Sequence, residues 1–157
     1  MEWRDKTVKI STKGRYGLRT LIDLAAHDDE APISLATIAT RQGISLHYLE
    51  QVFAILRRAK VVKSMKGAQG GYKIGCNPEL IHLKDILTLL EGDLSIVEYE
   101  EETDEKDKLK RCIQDVVWNP IDEKIESILM ELTLQDMIEE YKGLKQGCPS
   151  KIYSLDF

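Results

Sequence analysis

A mainly α fold carrying one small β-hairpin is what this 157-residue sequence predicts. Three observations predict it. Leu49, Val52, Phe53 and Leu56 recur at the three-and-four spacing of a buried helical face. Before them, Gln42-Gly43-Ile44 makes a short Gly-containing turn after a second amphipathic stretch, about Ser34 to Gln42. After them, Val61, Val62 and Met65, then Tyr72 and Ile74, supply strand-forming residues on either side of Gly67-Ala68-Gln69-Gly70-Gly71. Helix, turn, helix and hairpin in that order make a winged helix-turn-helix.

Taken in order, Met1 to Ile10 is a mixed polar arm with Arg4, Lys6 and Lys9. A helix is expected from about Thr12 to His27, with Leu18, Leu21, Ile22, Ala25 and Ala26 on its inner face. Lys13, Arg15 and Arg19 sit near its start, where positive charge opposes the helix dipole by up to about 1 kcal/mol. Such placement is easier to understand if phosphates are the intended neighbours. Asp28 to Pro32 is a loop. In the helix pair, Leu35, Ile38 and Ala39 face inward, Gly43 accepts a positive φ, and Ser45 is a good N-cap for the second helix.

Asn77-Pro78 marks a turn, and a helix is expected from Leu83 to Leu90, stopped by Gly92. Val97 to Lys110 is almost wholly charged and reads as a mobile linker. From Leu109 an apolar pattern returns through Ile113, Val116 and Val117. Asn119-Pro120 is then expected to kink or break the helix, because a proline ring clashes with the preceding turn. Beyond it Ile121, Ile125, Ile128 and Leu132 form the seam of a helix that packs on another helix, and with Val117 before it they are the dimerisation candidates. Thr133 caps a last helix, about Leu134 to Lys142, ended by Gly143. The rest is a tail in which Ile152, Tyr153, Leu155 and Phe157 are free to dock.

This divides the chain into a DNA-binding unit (1–82), a dimerisation and effector region (83–145, with an acidic linker at about 97–110) and a tail (146–157). The first residues of the second helix of such a unit reach base edges in the major groove. Here they are Ser45, His47, Tyr48, Glu50 and Gln51. Gln pairs bidentately with adenine, and Glu accepts from cytosine N4. Arg57, together with Ser11, Lys13 and Arg15 at the first helix, suits phosphates. Lys63, Lys66 and Gln69 belong to the wing. A solvated outer face is the competing reading of a helix pair, and the Gly-rich, lysine-flanked hairpin weighs against it. The Gly-rich turn is no phosphate loop, since no Gly-Lys-Ser/Thr follows it.

Net charge is −5, but it is unevenly distributed. Residues 1–82 hold 13 basic against 8 acidic residues, and residues 83–157 hold 9 against 19. A basic front and an acidic back suit a protein that offers one face to phosphates, with salt-sensitive binding. No apolar run reaches the roughly 18 residues of a membrane span, so no membrane partner is expected. Cys76, Cys112 and Cys148 form neither a CxxC pair nor a disulfide framework, which fits a reducing cytoplasm. His27 and His82 read as isolated surface residues. No carboxylate pair, nucleophile–base set or metal triad appears at useful spacing, so no enzyme is expected.

The strings STKGRYGL (Ser11–Leu18), ISLHYLEQVFAILRRAKVVKS (Ile44–Ser64), KGAQGGYKI (Lys66–Ile74), LEGDLSIVE (Leu90–Glu98) and LTLQDM (Leu132–Met137), with the segment from Cys112 to Trp118, resemble the Rrf-two family of regulators. Within it the chain is most similar to the cluster-free, CymR-like cysteine-metabolism branch. The resemblance implies homodimeric winged-helix repressors with a long helix crossing between subunits. It places Tyr48, Glu50 and Gln51 on the base-reading helix and Lys66 where many members carry a wing arginine. Lysine cannot make the bidentate bond of arginine there.

Cluster-binding members carry three cysteines and a fourth ligand between wing and long helix. Cys112 matches the last of these cysteines and Asp115 stands where the fourth ligand would be, but the two upstream cysteines are missing. A 2Fe–2S cluster needs about four ligand groups, mostly thiolates, so no cluster and no other metal is expected. Cys112 is then either a redox-sensing thiol or a small residue buried in the dimer helix.

The sequence thus predicts a homodimeric, sequence-specific DNA-binding repressor of cysteine or sulfur metabolism or of iron–sulfur biogenesis. Its partners are a double-stranded operator, a second copy and, by the resemblance, a cysteine-biosynthetic enzyme. The alternatives are an iron–sulfur or thiol redox sensor of the same family, and a winged-helix module for protein contacts.

Overall fold

The computed structural model describes residues 10–27, 31–97 and 108–147. The N-terminal arm, most of the acidic linker and the end of the tail lie outside the described residues. Helix α1 spans Thr12–Ala26, α2 Leu35–Gln42 and α3 Leu46–Arg58. Strands β1 (Val62–Met65) and β2 (Gly71–Ile74) pair antiparallel, with Val62 opposite Ile74 and Met65 opposite Gly71. A single 3-10 turn at Pro78–Leu80 leads to α4 (Leu83–Glu91). Helices α5 (Lys108–Ile113), α6 (Asn119–Glu131) and α7 (Leu134–Lys145) complete the described chain.

The caps expected at Ser45 and Thr133 form, and Ser34 adds one at α2. Ser45 accepts a bond from the Tyr48 N–H at 3.1 Å, and Ser34 accepts one from the Thr37 N–H at 3.1 Å. Gly43 takes φ 64°, the left-handed geometry that ends α2 and turns the chain into α3. Thr133 and Asp136 make a reciprocal capping box at the start of α7.

One core joins these elements. Leu21, Leu24, Ile38, Leu49, Phe53, Leu56, Ile86 and Leu134 are fully or nearly fully buried in a single cluster. Burying a side chain of this size contributes about 1.5–3 kcal/mol each. α1 runs through the middle of the core. At Gly17 a Cβ would lie 2.4 Å from Leu90 of α4 and 3.2 Å from Val52 of α3, so three helices meet where only glycine fits. Leu134 and Ile138 bring α7 into the same cluster.

Four expectations need correction. Lys108–Lys110, assigned to the mobile linker, are helical. Of the kink or break expected at Asn119-Pro120, the break does not occur. α5 and α6 are joined by a π-helical turn over Gln114–Trp118, and the Asn119 N–H bonds to the Gln114 carbonyl five residues back. Widening the turn lets the chain pass Pro120, which has no N–H and crowds a regular turn. Gly143 does not end the last helix, which continues to Lys145 because Leu144 and Lys145 keep helical bonding. His27 and His82 are half-buried rather than free on the surface. His27 Nδ1 lies 2.7 Å from the Asp23 carbonyl oxygen, and its Nε2 lies 3.0 Å from Lys145 Nζ.

The wing has an anchor that no pattern announced. Ile33, just before α2, pairs with Tyr72 of β2. The Tyr72 N–H donates to the Ile33 carbonyl at 2.7 Å, and the Ile33 N–H donates back at 3.0 Å. Tyr72 also packs edge-on against Phe53, ring centroids 5.1 Å apart. The hairpin is thereby fastened to both helices of the helix-turn-helix.

Candidate nucleic-acid interface

The outer face of α3 follows from its inner one. With Leu49, Val52, Phe53 and Leu56 buried, the helical period leaves His47, Glu50, Gln51, Arg57 and Arg58 exposed. Three of them interact along the helix. His47 Nδ1 lies 3.7 Å from Glu50 Oε2, and His47 Nε2 lies 3.3 Å from Gln51 Nε2. The imidazole thus sits between the carboxylate and the amide that are the best base-reading candidates. Ser45, at the tip, is exposed and caps the helix.

Tyr48 stands apart from this row. It is half-buried, and its ring meets Tyr16 of α1 edge-on at 6.1 Å. Burial first, then the charge of Glu91 and the neighbouring Tyr16, hold its phenol above the ordinary range. Tyr48 therefore ties α3 to α1.

Lys63 on β1, and Lys66 and Gln69 in the hairpin turn, are exposed. Their charge and amide are available to a polyanion. On α1, Lys13 and Arg15 are exposed, whereas Arg19 is engaged: its Nε donates to Gln42 Oε1 at 2.7 Å and its Nη2 donates to the Gln42 carbonyl. Arg19 thus satisfies a carbonyl at the C-terminal end of α2. Ser11 caps α1, accepting from the Lys13 N–H at 3.1 Å, while its hydroxyl donates to Glu91 Oε1 at 2.6 Å.

The dimerisation candidates divide. Val117 and Ile121 are exposed, each 40 %, and Ile128 is half-buried. Ile125 lines a groove of about 220 Å³ between α4 and α6, and Leu132 packs against the core of its own chain. Sequence reasoning left Leu109, Ile113 and Val116 out of the seam, yet they are exposed at 71 %, 38 % and 69 %. The signal was present as the same four-and-three spacing. A kink or break at Asn119-Pro120 would separate them from the residues beyond it. Instead the π turn keeps one continuous helical run, with an apolar stripe from Leu109 to Ile121.

Cys112 and Cys76 are exposed. Asp115 Oδ2 lies 3.8 Å from Arg111 Nε, and Asp115 Oδ1 accepts from Asn119 Nδ2 at 3.3 Å. Among the described residues no group of three or more His, Cys, Asp or Glu side chains could hold a metal ion. A cluster asks for thiolates, and around Cys112 this segment offers one thiol and a carboxylate already engaged by Arg111 and Asn119. The residues present do not fit an iron–sulfur cluster. Among the described residues no helix is long and apolar enough to cross a membrane.

Comparison with known proteins supplies the family context. The family model for Rrf2, described as an iron-dependent transcriptional regulator, matches residues 10–140. The HTH-type transcriptional regulator CymR of Bacillus subtilis (strain 168) is 44% identical over 140 residues, covering 89% of this chain and 96% of that one. The solved structure of CymR (YrzC), the global cysteine regulator of B. subtilis, superposes with a TM-score of 0.69 at 42% identity, over 83% of this chain and 96% of that one. The structure of T. potens IscR superposes with a TM-score of 0.69 at 39% identity, over 92% of this chain and 94% of that one.

Proposed function

This chain belongs to the Rrf2 family of transcriptional regulators, and we propose that it acts as a homodimeric repressor of cysteine or sulfur metabolism. The observation that carries the reading is the exposed row Ser45, His47, Glu50 and Gln51 on a helix whose opposite face is locked in the core. The 44% identity to CymR supports the choice of cysteine metabolism.

In this reading α3 enters the major groove with its N-terminal turn, and Gln51 and Glu50 meet base edges. Lys13, Arg15 and Arg57 neutralise phosphates, and Lys63, Lys66 and Gln69 follow the backbone beside the flanking minor groove. Two copies join through the stripe Leu109, Ile113, Val116, Val117 and Ile121. The two recognition helices then address half-sites about 34–36 Å apart, or a multiple of that spacing. The lack of a cluster-ligand set favours a signal delivered by a partner protein, such as an enzyme of cysteine biosynthesis.

Binding of the purified chain to the promoter upstream of its own gene, titrated with salt, tests the proposal. Specific affinity with a steep salt slope is expected. Binding no tighter than to a scrambled duplex would leave a protein-interaction module as the reading. A visible-range absorption spectrum after anaerobic purification should be featureless. Bands of a bound cluster would overturn the cluster-free assignment.

A further inference from the structure

Glu91, the last residue of α4, reaches back to the first turn of α1. Its Oε1 accepts from the Ser11 hydroxyl at 2.6 Å and from the Gly14 N–H at 2.7 Å, and its Oε2 accepts from the Ser11 N–H at 3.2 Å. Helix N-terminal N–H groups lack intrahelical partners and carry partial positive charge, so a carboxylate is well placed there. The fit is close: a Cβ on residue 14 would lie 2.2 Å from Glu91 Oε1. The Tyr48 phenol of α3 is held above its ordinary range by burial first and by this carboxylate's charge second. Glu91 therefore joins the end of α4 to the first turn of α1.

Electrostatics alone argues against this placement in a DNA-binding protein. A carboxylate beside Lys13 repels the phosphates that residue is meant to meet. Its three hydrogen bonds give it another use. We propose that Glu91 is a positioning residue that fixes the first turn of α1, with Lys13 and Arg15, in the orientation that DNA requires. This rests on the DNA-binding reading above.

The two roles of the charge predict opposite signs. In full-length E91Q, whose fold is verified by circular dichroism, affinity for the specific duplex at fixed salt should fall roughly tenfold, since charged hydrogen bonds are lost. G14A should show the same loss, by displacing the carboxylate, and the double variant should be no worse than either single one. A readout without DNA accompanies this. In the wild type, the Ser11 and Gly14 amide protons should titrate together with one acid midpoint, and in E91Q they should not move. If wild type binds its promoter and E91Q binds equally or more tightly, Glu91 acts only as a negative charge and the positioning role is overturned. Absence of a shared amide titration overturns it equally. Failure of the wild type to bind any promoter duplex defeats the DNA reading instead, and this role with it.

Discussion

Asp23 of α1 and Arg41 of α2 form an ion pair that fixes the first helix to the helix-turn-helix. Arg41 Nη2 and Nε donate to the same Asp23 oxygen at 2.7 Å and 3.1 Å. The Asp23 side chain is 3 % exposed and that of Arg41 33 %. Removing one partner of a buried pair costs about 3–5 kcal/mol. Because Arg41 is partly in water and His27 Nδ1 stays 3.4 Å from the carboxylate, R41A should cost about 2 kcal/mol. Urea unfolding checks this, and D23L/R41M should recover most of the loss because it leaves no buried charge.

Base reading and phosphate binding separate by substitution. Q51A should lose about 1–3 kcal/mol of specific binding and leave non-specific binding unchanged. K66A should weaken binding to every duplex and lower the salt slope by about 1. Fluorescence anisotropy across a salt series measures both, and a K66A effect confined to one base position would contradict the phosphate assignment.

The dimer stripe is testable without DNA. Val116 is 69 % exposed and lies outside the core cluster. V116E should therefore dissociate the dimer in sedimentation equilibrium while leaving the helical circular dichroism of the chain intact. A persistent V116E dimer would place the interface elsewhere.

Glu91 carries a pH signature. Burial raises its pKa, but bonds from the Ser11 hydroxyl, the Ser11 N–H and the Gly14 N–H, with the charge of Lys13, outweigh burial and leave it below the ordinary 4.5. A carboxylate depressed on folding stabilises above its unfolded pKa and loses that contribution as pH falls through the folded one. The stability difference between wild type and E91Q should be full at neutral pH and shrink on acidification below about pH 4.5. Thermal unfolding of both proteins across that range measures it.

The sequence alone determined the helix pair, its Gly43 turn, the Ser45 and Thr133 caps, the hairpin and the outward row on α3. Each is written in residues a few positions apart, through the 3.6-residue period, local capping bonds and glycine geometry. Tertiary structure decided the rest. Ser11 and Glu91 are 80 positions apart, Asp23 and Arg41 eighteen, and Ile33 meets Tyr72 across the whole helix-turn-helix. Nothing in those residue types names their partners, because the pairing arises only when α1 is buried among α3, α4 and α7. Whether the helix kinks or breaks at Asn119-Pro120 was likewise left open by the sequence. Local rules favour a stop at proline, and a π turn of five residues is a rare alternative to it.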